Sequence, residues 1–317
     1  MSEVAPEQTI WEVLRGALAT RALGIVAGLR IPQALAAGPR PVGDLARETG
    51  ADADTLHRLL RALASEGIFA EEERGVFHNT PASELLLTSG WDDFAVLFGG
   101  VWYDTVGRLD ASGKAAFPAV FGSDFWAWLA EHPEERARFD RAMAQGSDTR
   151  IERLEAVDWR DGETVVDVGG GNGSLLAELR KAHPGLRGIV FDLPETTRDE
   201  SLFGDGLEFV AGSFFERVPE GDVYLLGTIL HDWDDASATK ILRTIRVSAP
   251  EHARLVVLDA VVPPGNEPFG PKWLDLLMLA MFAGRERDEE QWRTLLAAGG
   301  FEPVRFDERL IEARCRS

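Results

Sequence analysis

At 317 residues, with 45% apolar and 27% charged side chains, the chain is long enough for about two domains, and its globular composition disfavours intrinsic disorder, collagen-like repeats and a disulfide scaffold. A formal net charge of −20 repels phosphate backbones and anionic headgroups, and the lone cysteine, Cys315, rules out an intrachain disulfide. The N-terminal MSEVAPEQTIWEVL lacks the features of a secretory signal, and the apolar run Leu274 to Gly284, broken by Asp275, falls short of the roughly 20 residues of a membrane span, so a cytoplasmic location is expected.

Residues 1–90 read as short helices ending in a hairpin. Leu14, Leu18 and Ala22 recur at helical spacing, Ile31 and Leu35 start a second element, and Val42 to Thr49 a third. Asp52 or Asp54 can cap a helix carrying Leu56, Leu59, Leu60 and Leu63 that ends near Gly67. GIFAEEERGVFHNT then places two short apolar runs around an acidic turn at Gly75, a hairpin signal. This is a winged-helix order, with DNA binding or dimerisation as its rival readings. The stretch holds 8 Arg and no Lys against 12 acids, and its would-be recognition helix opens on Asp52 and Asp54, so a packing or dimerisation module is favoured.

Residues 91–160 are rich in aromatics, among them Trp102, Tyr103, Phe117, Phe121, Phe125, Trp126, Trp128 and Phe139, and read as connecting helices that could wall a flat apolar pocket. In residues 161–317 the period changes. VVDV, SLLAELRKAH, GIVFD, LEFV, DVYLLG, ASATKILRTIRV and RLVVLDAVV alternate strand and helix, which predicts a doubly wound, mostly parallel sheet with its ligand site at the strands' carboxyl ends.

The strongest motif, VVDVGGGNGSLLAEL, sets Asp167 and four glycines between a strand and a helix, where backbone can approach a ligand and the helix start offers free N–H groups. A dinucleotide fingerprint fails because Ser174 stands at the sixth position from Gly169, and a phosphate-binding P-loop fails because no lysine lies between Lys114 and Lys181. Asp192 ends the second strand 23 residues after Gly169, near the spacing at which an acid accepts from ribose hydroxyls, although it could equally cap the next turn. Together these suggest a nucleoside-bearing cofactor.

DVGGGNG, FDLP, GSFFE, LHDWDD and MFAGRERDEEQW, in this order and over nearly the whole chain, resemble the S-adenosylmethionine-dependent O-methyltransferases of the plant caffeic-acid and bacterial aromatic-polyketide (hydroxyindole O-methyltransferase-like) type. The resemblance implies a Rossmann-like class I methyltransferase domain at 161–317 and a winged-helix dimerisation domain at 1–90 that pairs the chain as a homodimer. It also implies S-adenosyl-L-methionine as cofactor and S-adenosyl-L-homocysteine as product. Carried over residue by residue, Ser147, Asp167, Gly169 and Gly171 shape the methionine end of the cofactor site. Asp192 holds the ribose and Phe214 lies against the adenine, with Leu193, Gly212 and Ser213 also in the cofactor site. His231 is implied as general base, with Glu286 orienting its ring, Asp259 flanking it, and Asp232 next to the substrate. Phe139, Met143, Met281 and Phe282 are implied to line the acceptor pocket. Where plant members carry an aspartate this chain has Ser213, and in place of their Lys-Trp pair it has Gly227 and Thr228; Asp259 replaces a glutamate.

The chemistry suits these residue types. Methyl transfer from a sulfonium is an in-line displacement that gains from holding the oxygen nucleophile about 3 to 3.5 Å from the methyl carbon. A phenol of pKa about 10 needs a base to take its proton, and a carboxylate on the second ring nitrogen fixes a histidine's tautomer. The competing readings are a structural His231 at a strand end, and Asp232, Asp234 and Asp235 as helix caps or metal ligands. Three acids in four residues without a second ligand cluster favour the caps, and no metal is expected. At the level of function, the rivals are a reassigned hydroxylase or decarboxylase on the same fold, or a ligand-sensing winged-helix regulator.

Overall fold

The computed structural model describes residues 5–88, 90–145, 147–196, 200–204 and 206–316, with residues 147, 148 and 200 described by backbone alone. The chain divides into two units, residues 1–107 with 141–145, and residues 108–140 with 146–317. The stretch 91–160, read from sequence as one connecting segment, is thus shared between them.

The first unit opens on one 23-residue helix, Pro6–Gly28, longer than the short helix that Leu14, Leu18 and Ala22 mark in the sequence. Helices Val42–Thr49 and Ala53–Ala64 follow, the latter capped by Asp52, whose carboxylate accepts from the Thr55 amide at 2.8 Å. Strands Phe69–Glu73 and Val76–Asn79 pair antiparallel through the Gly75 turn, and the two-residue strand Arg40–Pro41 adds to the second of them. Val26, Ile31, Leu45, Leu56, Leu60, Phe69 and Phe77 form the core of this unit. The long helix leaves Ile10, Trp11, Leu14 and Leu18 outside it, each more than 60% exposed. Among the described residues no helix is long and apolar enough to cross a membrane.

The second unit is built on a seven-stranded sheet. Its strands are β1 (Thr164–Val168), β2 (Arg187–Asp192), β3 (Leu207–Ala211), β4 (Val223–Gly227), β5 (Arg254–Leu258), β6 (Phe301–Asp307) and β7 (Leu310–Cys315). They lie in the order β3-β2-β1-β4-β5-β7-β6, all parallel except that β7 runs antiparallel to both of its neighbours. Valine- and leucine-rich runs such as TVVDV and RLVVL suit strands covered on both faces. Period-2 alternation sends Val166, Val168, Tyr224, Leu226, Leu255 and Val257 to one face, against Ile241, Leu242, Trp292 and Leu296. Val165, Val223, Leu225, Val256 and Leu258 go to the other, against Leu154, Leu175, Leu176 and Leu179. The helices involved are α1 (Ser147–Leu154), α2 (Ser174–Ala182), α3 (Asp235–Ser248) and α4 (Glu289–Gly299).

Strand order reverses between β1 and β4, and this is where ligands bind in open α/β sheets. The carboxyl ends of β1, β2, β4 and β5 deliver, respectively, the 169–173 glycine loop, Asp192, the segment 228–233 with His231, and Asp259. The β6–β7 hairpin was not apparent from sequence. Its two-residue turn, Glu308 and Arg309, carries no Gly or Asn, and Pro303 interrupts β6, which an edge strand tolerates.

Candidate active site

At the end of β1 the chain turns through Gly169, at φ +76°, where a Cβ would lie 2.4 Å from Ile229 Cδ1 and 3.8 Å from the Phe214 ring. Glycine is needed there for both the backbone angle and the space. The Gly169 amide donates to the Phe191 carbonyl at 2.7 Å, and the Gly171 amide donates to Asp192 Oδ2 at 2.8 Å, which ties the loop to the end of β2. Asp192 Oδ1 accepts from the Leu193 amide at 2.7 Å and from the Thr196 hydroxyl at 2.8 Å. A carboxylate has about four acceptor positions, so one remains for a ribose hydroxyl.

Asp167 is 1% exposed, and its Oδ2 is buried with no hydrogen-bond partner. Burial pushes this carboxyl up to about 7, with Arg150 opposing the shift and Asp192 adding to it. Arg150, on α1, is itself partly buried, and desolvation lowers its guanidinium while Asp167 raises it. A buried, unsatisfied carboxylate within the field of a partly buried guanidinium fits a zwitterionic amino-acid group, which is what the methionine end of S-adenosylmethionine carries. Arg150 was missed from sequence: it lies four residues into a helix with no local motif, and only the tertiary fold brings it to Asp167. The side chain of Ser147, implied for the same end, lies outside the described residues.

The supposed adenine side holds Phe214 packed edge-on to Phe215 and Trp233, at centroid distances of 5.0 and 5.9 Å. The Gly212 amide donates to the Asp192 carbonyl at 2.9 Å, and Ser213 Oγ accepts from the Phe215 amide at 3.2 Å, a turn-forming role within GSFFE. Thr228, at φ +57°, gives its hydroxyl to the Gly227 carbonyl at 2.6 Å.

A buried chain reaches Asp192 from the helix Pro133–Met143: Arg136 Nε donates to both Asp140 oxygens at 2.9 and 3.0 Å, Arg136 Nη2 to the Thr196 hydroxyl at 2.7 Å, and that hydroxyl to Asp192. Thr196, 4% exposed, therefore aims the carboxylate. Replacing it with valine removes the donor to Asp192 and strands an arginine N–H, so S-adenosylhomocysteine should bind about tenfold more weakly by calorimetry, about 1.4 kcal/mol, while Thr196→Ser keeps wild-type affinity. Unchanged affinity in the valine variant would sink the assignment.

At the end of β4, the turn Leu230–Asp232 buries His231 and Asp232 to 7% and 8% exposure. His231 Nδ1 meets Glu286 Oε1 at 2.7 Å, and Nε2 lies 3.4 Å from Asp232 Oδ1. Glu286 Oε2 and both oxygens of Asp259 are buried without a hydrogen-bond partner. Burial alone would lower the imidazole, but the charges of Asp259, Asp232 and Glu286 outweigh it and raise His231 to about 10. Burial also raises Asp232 to about 7 and Asp259 to about 6, each partly offset by His231. His231, Asp232 and Asp259 are coupled and titrate as one cluster. Asp234, and not Asp235, caps α3, accepting from the Ser237 amide at 2.7 Å. Among the described residues no group of His, Cys, Asp and Glu has the arrangement of a metal site.

Glu286 is brought to His231 by the segment that follows helix α5 (Pro271–Phe282). Gly284 crosses so close to the His231 turn that a Cβ would fall 2.2 Å from the His231 carbonyl oxygen. Phe282 meets Phe125 edge-on at 5.3 Å and stacks on Trp126 at 5.6 Å, and Phe139 closes against both at 5.3 and 5.7 Å. Met281 is 2% exposed. Phe139, Met281 and Phe282 thus belong to the unit that carries His231, whereas Met143 falls in the 141–145 segment grouped with the first unit.

A family model described as an O-methyltransferase domain matches residues 103–302, and one described as an O-methyltransferase dimerisation domain matches residues 11–89. The chain is 38% identical over 306 residues to a phenazine O-methyltransferase of Lysobacter antibioticus, covering 92% of this chain and 89% of the relative. It is 25% identical to human N-acetylserotonin methyltransferase in complex with S-adenosylmethionine, at a TM-score of 0.90 over 100% of this chain and 99% of that one. A neocarzinostatin-biosynthesis O-methyltransferase solved with S-adenosylhomocysteine and 1,4-dihydroxy-2-naphthoic acid is 32% identical, at a TM-score of 0.80 over 94% and 96%. The chain therefore belongs to the S-adenosylmethionine-dependent O-methyltransferases.

Proposed function

We propose that the protein methylates a phenolic hydroxyl of a small aromatic natural product, with His231 as general base and Glu286 orienting it. The observation that carries this reading is the 2.7 Å bond from His231 Nδ1 to a buried carboxylate, which leaves Nε2 as the ring's working nitrogen beside Asp232. S-adenosylmethionine supplies the methyl group on a sulfonium, whose positive charge also disfavours imidazolium. Arg150 and Asp167 hold the amino-acid end, Asp192 accepts from the ribose, and Phe214 offers an apolar face to the adenine. Phe139, Phe282 and Trp126 offer flat apolar walls to a planar acceptor, and Met281 adds to its surroundings. Asp232 orients the acceptor hydroxyl toward Nε2, which takes the proton as the oxygen attacks. Retention of His231 with its carboxylate partner favours methylation over a reassigned hydroxylase or decarboxylase, which needs no base there.

The test is a panel of naphthols, hydroxybenzoates and hydroxyphenazines incubated with S-adenosylmethionine, with products read by mass. Transfer to a phenolic oxygen supports the reading; cofactor binding without transfer to any phenol counts against it.

The chain also pairs as a homodimer on this proposal, through the exposed apolar face of Ile10, Trp11, Leu14 and Leu18 within the dimerisation domain. Trp11→Glu combined with Leu18→Glu should sediment as a 34.8 kDa monomer where wild type sediments at twice that mass. Equal sedimentation of the two proteins would place the interface elsewhere.

A further inference from the structure

The GRER sequence supplies Glu286, but its last arginine is the more deeply placed residue. Arg287 is fully buried, at 0% exposure. Its guanidinium spends its donors on one short stretch of chain: Nη1 reaches the Leu230 carbonyl at 2.9 Å, Nη2 the Trp233 carbonyl at 2.8 Å, and Nε the Asp235 carboxylate at 2.9 Å. Two of these acceptors flank His231 and Asp232. The carbonyl of His231 itself accepts from the Arg285 amide at 2.8 Å, so the carbonyls of 230, 231 and 233 are all taken by residues 285 and 287. Glu286 lies between those two, facing the His231 ring. The Arg287 carbonyl is fixed in turn by the Val262 amide at 2.9 Å, and the guanidinium sits 5.4 Å from the Trp292 ring centroid.

We propose that Arg287 is a positioning residue for methyl transfer, its guanidinium clamping the His231–Asp232 turn in register with the segment that carries Glu286. The inference rests on His231 being the base. A buried arginine needs acceptors, and a plain ion pair with Asp235 would satisfy it electrostatically. That does not account for two of its contacts being to backbone carbonyls on either side of the base, nor for the rigid fork that holds both at once. Lysine, a single point charge on a flexible stem, cannot span them. The charged groups facing Arg287 are Asp234 and Asp235 at the start of α3, Asp259 after β5, and Arg285 on its own segment; the indole of Trp292 on α4 is neutral. The Arg287 charge lowers the Asp259 carboxyl, which flanks His231, and so opposes proton uptake there.

The test compares Arg287→Met, Arg287→Lys, Asp235→Ala and His231→Gln. It measures kcat and KM for a phenol that wild type methylates, the pH profile of kcat, S-adenosylhomocysteine affinity by calorimetry, and thermal melting. Arg287→Met is expected to lower kcat about 30-fold or more, since misplacing reacting groups by about 1 Å costs on that order, with KM and cofactor affinity within about threefold of wild type. Its rising pH limb should move to higher pH, because the imidazole keeps its proton more firmly once the cation is gone. Arg287→Lys keeps the charge but not the fork, so its limb should stay in place while kcat still falls about tenfold. Arg287→Met with kcat within about twofold of wild type and an unmoved limb, beside an inactive His231→Gln, overturns the inference while leaving the base in place. An active His231→Gln removes the base reading, and the clamp with it. Should Arg287→Met lose its cooperative melt, Asp235→Ala, at an exposed helix start, decides: it releases Nε and should lower kcat severalfold at unchanged cofactor affinity, and wild-type kcat there overturns the inference.

Discussion

His231→Gln is expected to lower kcat for methyl transfer by at least about 10³-fold, within the range general-base catalysis contributes, and to leave S-adenosylhomocysteine binding within about twofold of wild type. The wild-type pH profile carries the sharper content. Burial opposes the imidazolium, but three carboxylates around the ring raise His231 to about 10, so in the free enzyme the base carries its proton at neutral pH. A base must be empty to act. Therefore kcat/KM should rise with pH through neutrality by about tenfold per unit and bend only as the pH approaches 10, the value for His231 in the free enzyme. Asp259 is the largest of the charges that raise the imidazole, so Asp259→Asn should move the bend to lower pH by about one unit with the same acceptor. Using one acceptor for both enzymes cancels the phenol's own ionisation. A bend that stays put in Asp259→Asn would show that His231 does not feel that carboxylate, and the proposed role of Asp259 would fall.

The parts of this site that were legible in the sequence share one property: each is announced by local chemistry. The glycine loop follows a β-branched run and precedes a helix, Asp192 closes the next strand at the expected distance, and LHDWDD follows the strand VYLLG. Strand alternation also fixes which valines face which helical layer. What was not legible depends on long-range placement. Arg150 reaches Asp167 from a different element, Arg136 reaches Asp192 through Thr196 across 60 residues, and Arg287 reaches Leu230 across 57. In each case an arginine, ordinarily a surface residue, is drawn wholly or partly into the interior because its partners lie elsewhere in the chain, and one sequence offers no period or motif that distinguishes it from the exposed arginines. The C-terminal hairpin escaped for the opposite reason: its turn lacks the residues that mark a turn, and β5 and the edge strand β6 hold β7 between them.

Asp167→Asn should weaken S-adenosylhomocysteine binding by about a hundredfold, close to 3 kcal/mol, the range expected when one partner of a buried charged pair is removed. The carboxylate is 1% exposed with Oδ2 unsatisfied, so in the free protein it meets the cost of burial without a compensating hydrogen bond, and the ligand's ammonium group restores one. The same burial makes the affinity pH-dependent in a direction that can be worked out. The free carboxyl sits at about 7, raised chiefly by desolvation, and only its ionised form can pair with an ammonium. Below that value binding must first expel a proton, so Kd should rise about tenfold for each unit the pH falls, and above it Kd should level off. The asparagine variant has no proton to lose at this position and should show weak binding that does not steepen below neutrality. Arg150→Met separates the two halves of the pair: the ligand carboxylate loses its cation, and Asp167, no longer stabilised by that charge, moves to higher pKa and carries the Kd inflection with it. A wild-type affinity that is flat from pH 5 to 8, or an asparagine variant that binds as tightly as wild type at pH 8, would mean that the amino-acid end of the cofactor is held by other groups and that Asp167 only braces the glycine loop.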